Sequence, residues 1–365
     1  MILSKFNPFR GSLLHIRRAS SWQSTGLRYK EFGDPDKVLA IETESIPQTL
    51  SEGDVALKFL AAPINPADIN TVQGVYGVKP KLPWVAGNEG TAEVLSVGSA
   101  VKNVKCGDRV IMSTDTPGTW QTHAVVPATQ VLKIPNDVPF WAAATLAINP
   151  CTAFRMLYDY AALRKGDVII QNGANSAVGQ LVIQFAAAND WQTINIIRDR
   201  PDKEATLSHL KSLGGTHNIT DADLQDRKLL GSLPKAKLGL NCVGGKAVSD
   251  MTKLLTNQAQ LVTYGGMSKQ PLLVPTTALI FKDIVLRGFW IGAWCRDSST
   301  EERIEMLNNV VQLMKDAKVR PPKMEAIGMK DYKEAIKKTQ EGFCGKKYLL
   351  VLDEQIMDQV RKELQ

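Results

Sequence analysis

Between Asp167 and Arg200 the chain reads DVIIQNGANSAVGQLVIQFAAANDWQTINIIRDR, a segment that few folds can accommodate. Val168, Ile169 and Ile170 form an uninterrupted apolar run, the pattern of a strand covered on both faces. Small residues follow from Gly173 to Gly179, and then Leu181, Val182, Phe185 and Ala186 recur at helical spacing. A second apolar run, Thr193 to Ile197, closes the unit. A strand, helix and strand in this order make a right-handed crossover, which requires a parallel sheet with helices packed on its faces.

The turn also predicts a ligand. Asn175, Ser176, Ala177 and Val178 lie where backbone N–H groups at a helix N-terminus can hold a pyrophosphate. In the usual G-x-G-x-x-G frame the chain has Ala174, Ser176 and Gly179, so only the last glycine is kept and context carries the assignment. After the second strand, a site for NAD places an acidic residue on the ribose. Here Arg198 and Arg200 flank Asp199, and guanidinium forks suit a 2′-phosphate. The expected cofactor is NADPH, with Asp199 the residue that fits this choice least.

A chain of 365 residues with 44% hydrophobic content can build two domains. Apolar stretches stay below the eighteen or so residues of a membrane span, so no membrane partner is expected. The net charge of +7 is concentrated at the start. Residues 1–30 hold Lys5, Arg10, Arg17, Arg18, Arg28 and Lys30 and no acidic residue. That composition reads as a mitochondrial transit peptide over residues 1–22, cleaved near residues 18 to 24, against the alternative of a disordered basic tail. The protein is then expected in the matrix, and with the basic excess removed a nucleic-acid partner is not expected. Cys106, Cys151, Cys242, Cys295 and Cys344 stand singly and read as reduced thiols.

Residues 23–148 carry short apolar runs broken by Gly, Pro, Asn and Asp, among them Val55–Leu60, Gly90–Leu95 and Asp108–Met112, which predict a β domain. An Ala-rich helical stretch from Phe140 to Leu157 leads into a nucleotide-binding domain over 149–291. Within it Lys237–Asn241, Gln260–Tyr264 and Ile284–Phe289 predict further parallel strands. Ligands of such sheets lie at the carboxyl ends of the strands, so Tyr264, Gly265, Gly266, Met267, Phe289 and Trp290 are candidates for the nicotinamide half, with loop packing as the competing reading. Residues 292–365 hold a helix from Glu301 to Met314 and a strand from Lys347 to Leu352, expected to return to the first domain.

This α/β layout, a GroES-like β domain interrupted by a Rossmann doubly wound parallel-sheet domain, resembles the medium-chain dehydrogenase/reductase superfamily. Gly87-Asn88-Glu89-Gly90 and Gly107-Asp108-Arg109-Val110 are similar to its G-H-E-G and G-D-R-V signatures. Zinc-dependent members carry Cys and His where this chain has Asn65 and Asn88, and an amide is a poor zinc ligand. No metal is expected; Asn65 and Asn88 read as local hydrogen-bond groups. Within the zinc-free branch, Ile64–Asn70, Gln73–Gly77, Asn149–Ala153 and Ile197–Pro201 resemble the mitochondrial enoyl-thioester reductases. That resemblance implies NADPH-dependent reduction of 2-enoyl thioesters carried on acyl carrier protein or coenzyme A. It implies Tyr76 as proton donor and Asn149, the loops 175–178, 198–200, 264–267 and 289–291 (ending at Ile291), and Lys347 as cofactor contacts. It also implies a homodimer through the sheet edge at Ile284–Trp290. A zinc-free quinone or enone oxidoreductase and a noncatalytic NADPH-binding protein are the alternatives.

Reduction of an enoyl thioester sends charge onto the thioester oxygen and needs a proton at the α-carbon, so a metal-free site must supply donors. A phenol with a reference pKa of about 10 stays protonated at neutral pH; Tyr76 lies on a glycine-flanked loop. His123, His209 and His217 read as structural residues. Phe281, Phe289, Trp290, Ile291 and Trp294 are an aromatic and apolar group that reads equally as an acyl pocket or as core.

Overall fold

The computed structural model describes residues 21–113, 117–316, 318–341 and 345–364. The basic segment up to Ser20 and Cys344 lie outside the described residues. In chain order the strands are β1 (Ser21–Tyr29), β2 (Ala40–Pro47), β3 (Asp54–Pro63), β4 (Trp84–Val85), β5 (Thr91–Val97), β6 (Arg109–Met112), β7 (His123–Pro127), β8 (Val131–Ile134), β9 (Val168–Asn172), β10 (Gln192–Ile197), β11 (His217–Thr220), β12 (Ala236–Asn241), β13 (Leu255–Thr263), β14 (Val285–Gly288), β15 (Met324–Gly328) and β16 (Lys347–Val351).

The nucleotide-binding domain is a six-stranded parallel sheet in the order β11-β10-β9-β12-β13-β14. Counted from β9 as the first strand this is 3-2-1-4-5-6, the doubly wound order whose ligand crevice opens where the order reverses, between β9 and β12. The apolar run in β9 is buried throughout and feeds both faces, as its unbroken hydrophobicity implies. Ile169 packs with Leu181, Phe185 and Leu238 on one side, whereas Ile170 packs with Ile194, Val248 and Leu261 on the other, an alternation set by the strand period of two.

The β domain is a seven-stranded sheet, β15-β16-β3-β5-β6-β8 with β7 paired to β3, beside a three-stranded sheet β2-β1-β4. The last strand returns to the first domain as expected, since β16 lies antiparallel to β3 through Leu349 and Pro63. The helical stretch from Phe140 to Leu157 consists of two helices, Phe140–Ala143 and Asn149–Asp159. Pro150, which has no N–H and a fixed φ, occupies the first turn of the second helix and not the interior of a longer one.

The helix Thr300–Lys315 lies beyond the expected end of the nucleotide-binding domain. Its Met306, Leu307, Val310 and Val311 nevertheless share a core with Ile169, Val182 and Leu238. The residue-22 boundary likewise falls inside β1, where Trp22 pairs with Ile46.

Candidate active site

The turn from Gly173 to Gly179 is built tightly. Ser176 caps the helix Ala177–Ala188 by accepting the Gly179 N–H at 3.1 Å. A Cβ on Gly179 would lie 2.6 Å from the Ala174 carbonyl oxygen, so this glycine is kept because strand and helix approach too closely for a side chain. Gly173 has φ +59° and faces Cys242 Sγ. Across the crevice, the Asn172 amide donates to Asn241 Oδ1 at 2.8 Å, and the same oxygen accepts the Gly244 N–H at 3.0 Å. These bonds tie the carboxyl ends of β9 and β12. The loop of Tyr264, Gly265, Gly266 and Met267 is anchored here through Tyr264 N–H to Asn241 O at 3.0 Å and Met267 N–H to Cys242 O at 2.9 Å. Burial beside Cys242 pushes the Tyr264 hydroxyl well above its ordinary pKa.

The arginine pair divides into an exposed Arg198 and a buried Arg200. Arg200 turns its fork onto Asp202, with one bond at 2.8 Å and a shorter one from Nε. Asp199 pairs with Lys203 at 3.0 Å, and its backbone N–H donates to Asp221. The acidic residue that fitted NADPH least is therefore turned to a lysine. His209 sits against Gln180 at 3.2 Å and His123 against Thr122 at 3.1 Å, structural settings for both.

From the β domain comes the loop after the helix Pro66–Val72. Gly74, at φ +72°, packs against Phe32 and leaves no room for a Cβ. The N–H groups of Val75 and Tyr76 return to the Asn70 carbonyl at 3.0 and 3.1 Å. Tyr76 is half-buried, and its ring meets that of Trp290 edge-on with centroids 6.5 Å apart. Burial raises its pKa, a hydrogen bond from the Trp290 side chain opposes that rise, and the Asp68 charge adds to it. Phe289 is buried with its ring against Tyr160, and Trp290 is 41% exposed. Ile291 begins the next helix, whose Trp294 lies under the Arg155 guanidinium. Phe281, 75% exposed, does not join this group, so the aromatic cluster predicted from Phe281 to Trp294 is divided between the cleft and the far edge of the sheet.

Where β3 ends, the structure gathers a buried polar network. The Asn65 amide donates to Glu89 Oε2 at 2.9 Å and receives the Lys347 ammonium on its own oxygen. Glu89 Oε1 accepts the Ile148 backbone N–H at 2.7 Å. Asp68 accepts the Asn65 N–H at 2.8 Å and both the backbone N–H and the amide of Asn88, at 2.9 and 2.7 Å. Burial raises Asp68 to about 6 and Glu89 to about 7, and it lowers Lys347. Next to Ile148, Asn149 heads its helix with an amide nitrogen that is buried and has no protein partner. A buried donor left open in this way is costly unless a ligand completes it.

Asn65 and Asn88 thus do serve as hydrogen-bond groups. A zinc ion at this position would meet an ammonium and two engaged amides, a donor set that does not fit it. Among the described residues no group of three His, Cys, Asp or Glu side chains is arranged to hold a metal.

Residues 51–136 match the alcohol dehydrogenase GroES-like domain, and residues 177–312 match the zinc-binding dehydrogenase family. The human mitochondrial enoyl-acyl-carrier-protein reductase is 43% identical over 329 residues, 89% of this chain and 88% of the relative. The chain belongs to the mitochondrial enoyl-acyl-carrier-protein reductase family. A solved Etr1p complex with NADP and crotonyl-CoA superposes with a TM-score of 0.85 at 32% identity, over 90% of this chain and 100% of that one. The mitochondrial 2-enoyl thioester reductase Etr1p/Etr2p heterodimer from Candida tropicalis does so with a TM-score of 0.84, at the same identity and coverage.

For this reductase, sequence reasoning missed Asp68, Glu89 and Asp202. Asp68 had a readable signal, because an acid three residues after the helix-capping Asn65 is the spacing of a capping box. Glu89 lay inside a quoted signature, but nothing in its neighbours announced Ile148 as a partner.

Proposed function

We propose that this chain reduces the trans-2 double bond of enoyl thioesters with NADPH in mitochondrial fatty acid synthesis, the thioester being carried on acyl carrier protein or coenzyme A in the matrix. The reading is carried by the contact of Tyr76 with Trp290, in which a phenol from the β domain meets the loop that ends the nucleotide-binding sheet. The turn 175–178 offers its N–H groups to a pyrophosphate, Arg198 and Arg200 offer charge to a 2′-phosphate, and Asn149 and Lys347 supply donors near the nicotinamide. The open amide nitrogen of Asn149 supports that fit.

When bound, NADPH supplies the hydride for the β-carbon of the substrate. The electron pair of the double bond then rests on the α-carbon and the thioester oxygen. Tyr76 gives its hydroxyl proton to the α-carbon, and the phenolate is restored from solvent. Because its pKa is raised, the hydroxyl keeps that proton throughout the physiological range.

We further propose that two copies pair along β14. Among the described residues this strand has β13 as its one neighbour in the sheet, all of its residues are exposed, and Ile280 and Phe281 in the preceding helix are exposed too. The N–H and C=O groups of an open apolar edge favour a second strand.

NADPH oxidation followed in parallel with crotonyl-CoA, a longer enoyl thioester and a quinone tests the reaction. Preference for the thioesters is expected; preference for the quinone would transfer the chain to the quinone reductases, and silence with every acceptor would remove the enzymatic reading.

A further inference from the structure

We propose that Glu89 is a positioning residue for the cofactor, one carboxylate that holds the backbone at the junction where the β domain passes into the first helix of the nucleotide-binding domain and so places Asn149 and Lys347 together. This rests on the reading of Asn149 and Lys347 as NADPH contacts. Glu89 is 1% exposed and uses both oxygens: one holds the Ile148 N–H at 2.7 Å, immediately before Asn149, and the other holds the Asn65 amide at 2.9 Å. Asn65 in turn presents its carbonyl oxygen to Lys347.

The chain of bonds has a fixed polarity. An ammonium carries donors alone, so the Asn65 oxygen must face Lys347 and its NH₂ must face Glu89. Reversing the amide would set donor against donor at Lys347. The orientation of Asn65, the seat of the Lys347 ammonium and the backbone ahead of Asn149 therefore all depend on one acceptor. Four separate pieces of chain join this network: the residues after β3, the turn before β5, the start of β16 and the residue ahead of the helix Asn149–Asp159.

Stability alone does not account for this arrangement. Buried ionic groups can often be replaced by apolar residues of similar volume without loss of stability. A carboxylate at the junction of two domains beside an open amide donor makes sense as a device that sets angles.

The test is a double-mutant cycle on NADPH affinity, read by titration of nucleotide fluorescence with the full chain, together with kcat for crotonyl-CoA. Glu89→Gln preserves size but replaces one acceptor oxygen with an amide donor, set against either the Asn65 amide or the Ile148 N–H. It is expected to weaken NADPH by about tenfold, the loss of one hydrogen bond to a charged group. Asn149→Ala and Lys347→Met should also weaken it. Combining Glu89→Gln with Asn149→Ala should cost less than the product of the two single effects, because both act on one contact.

Wild-type affinity in Glu89→Gln, or fully multiplicative effects, would overturn the proposal while leaving the cofactor reading intact. Unchanged affinity in both Asn149→Ala and Lys347→Met would bring down that reading and the proposal with it. Asn65→Ser keeps a good helix cap and cuts the same relay. Weaker NADPH binding in it at an unchanged melting temperature supports the positioning role. Losses in both relay variants that merely track loss of folded protein would show a structural role and overturn it.

Discussion

At the residue scale, the buried carboxylates dictate how stability responds to pH. Burial raises Glu89 from 4.5 to about 7 and Asp68 from 3.8 to about 6. The unfolded chain gives up these protons at lower pH, so between about pH 4 and 7 the folded state binds more protons, and this contribution to stability falls as pH rises through that window. Lys347, lowered by burial, works in the opposite sense at higher pH. Glu89→Gln should flatten the decline: its melting temperature relative to wild type should be lower at pH 5 than at pH 8, measured by calorimetry. The arginine pair gives a second prediction. Arg200→Ala should reduce the preference for NADPH over NADH by roughly tenfold or more, the loss of at least one charge-assisted bond, as read from kcat/KM with each nucleotide. Equal loss with both nucleotides would place Arg200 in a structural role through Asp202. The sequence announced these arginines because their spacing from a glycine turn carries chemistry. The pairing of Asp202 with Arg200, two residues apart, depends on the backbone path between them.

At the scale of elements, strands with unbroken apolar runs were legible, because burial on both faces leaves a pattern that survives without knowledge of partners. β9 is of this kind, and β10 is nearly so. The hairpin of β1 and β2 was not foreseen. β2 is mostly exposed, so its residues record no burial. The break between the helices at Phe140–Ala143 and Asn149–Asp159 was not located, because alanines are favourable in one helix or in two and Pro150 alone marks the new start. β14 was read correctly as the edge, and its consequence is measurable. Ile280→Glu with Phe281→Glu should convert a dimer to a monomer in sedimentation, with folded secondary structure retained. A wild-type monomer at micromolar concentration would remove the edge as an interface.

At the scale of the whole molecule, the two-domain plan was readable because the nucleotide unit sits in mid-chain and the final strand can find no place in a parallel sheet that is already complete. What the sequence could not provide was the meeting of distant segments. Lys347 and Asn65 are 282 residues apart in a direct hydrogen bond, and Glu89 reaches Ile148 across 59. No periodicity encodes such pairs. Tyr76 and Trp290 likewise come together through the fold, and without the surrounding family strings the tyrosine would have passed as a loop residue. Because Ser21 and Trp22 already belong to β1, a presequence should be cut before Ser21, and N-terminal sequencing of protein recovered from mitochondria checks this.

The central claim is that a metal-free cleft reduces an enoyl thioester while Tyr76 provides the proton. Single-turnover oxidation of bound NADPH by crotonyl-CoA, compared between wild type and Tyr76→Phe, tests it most directly. The phenylalanine variant should bind NADPH with wild-type affinity and turn over at least about tenfold more slowly, the lower end of what a general acid contributes. Equal rates in the two proteins would contradict the account.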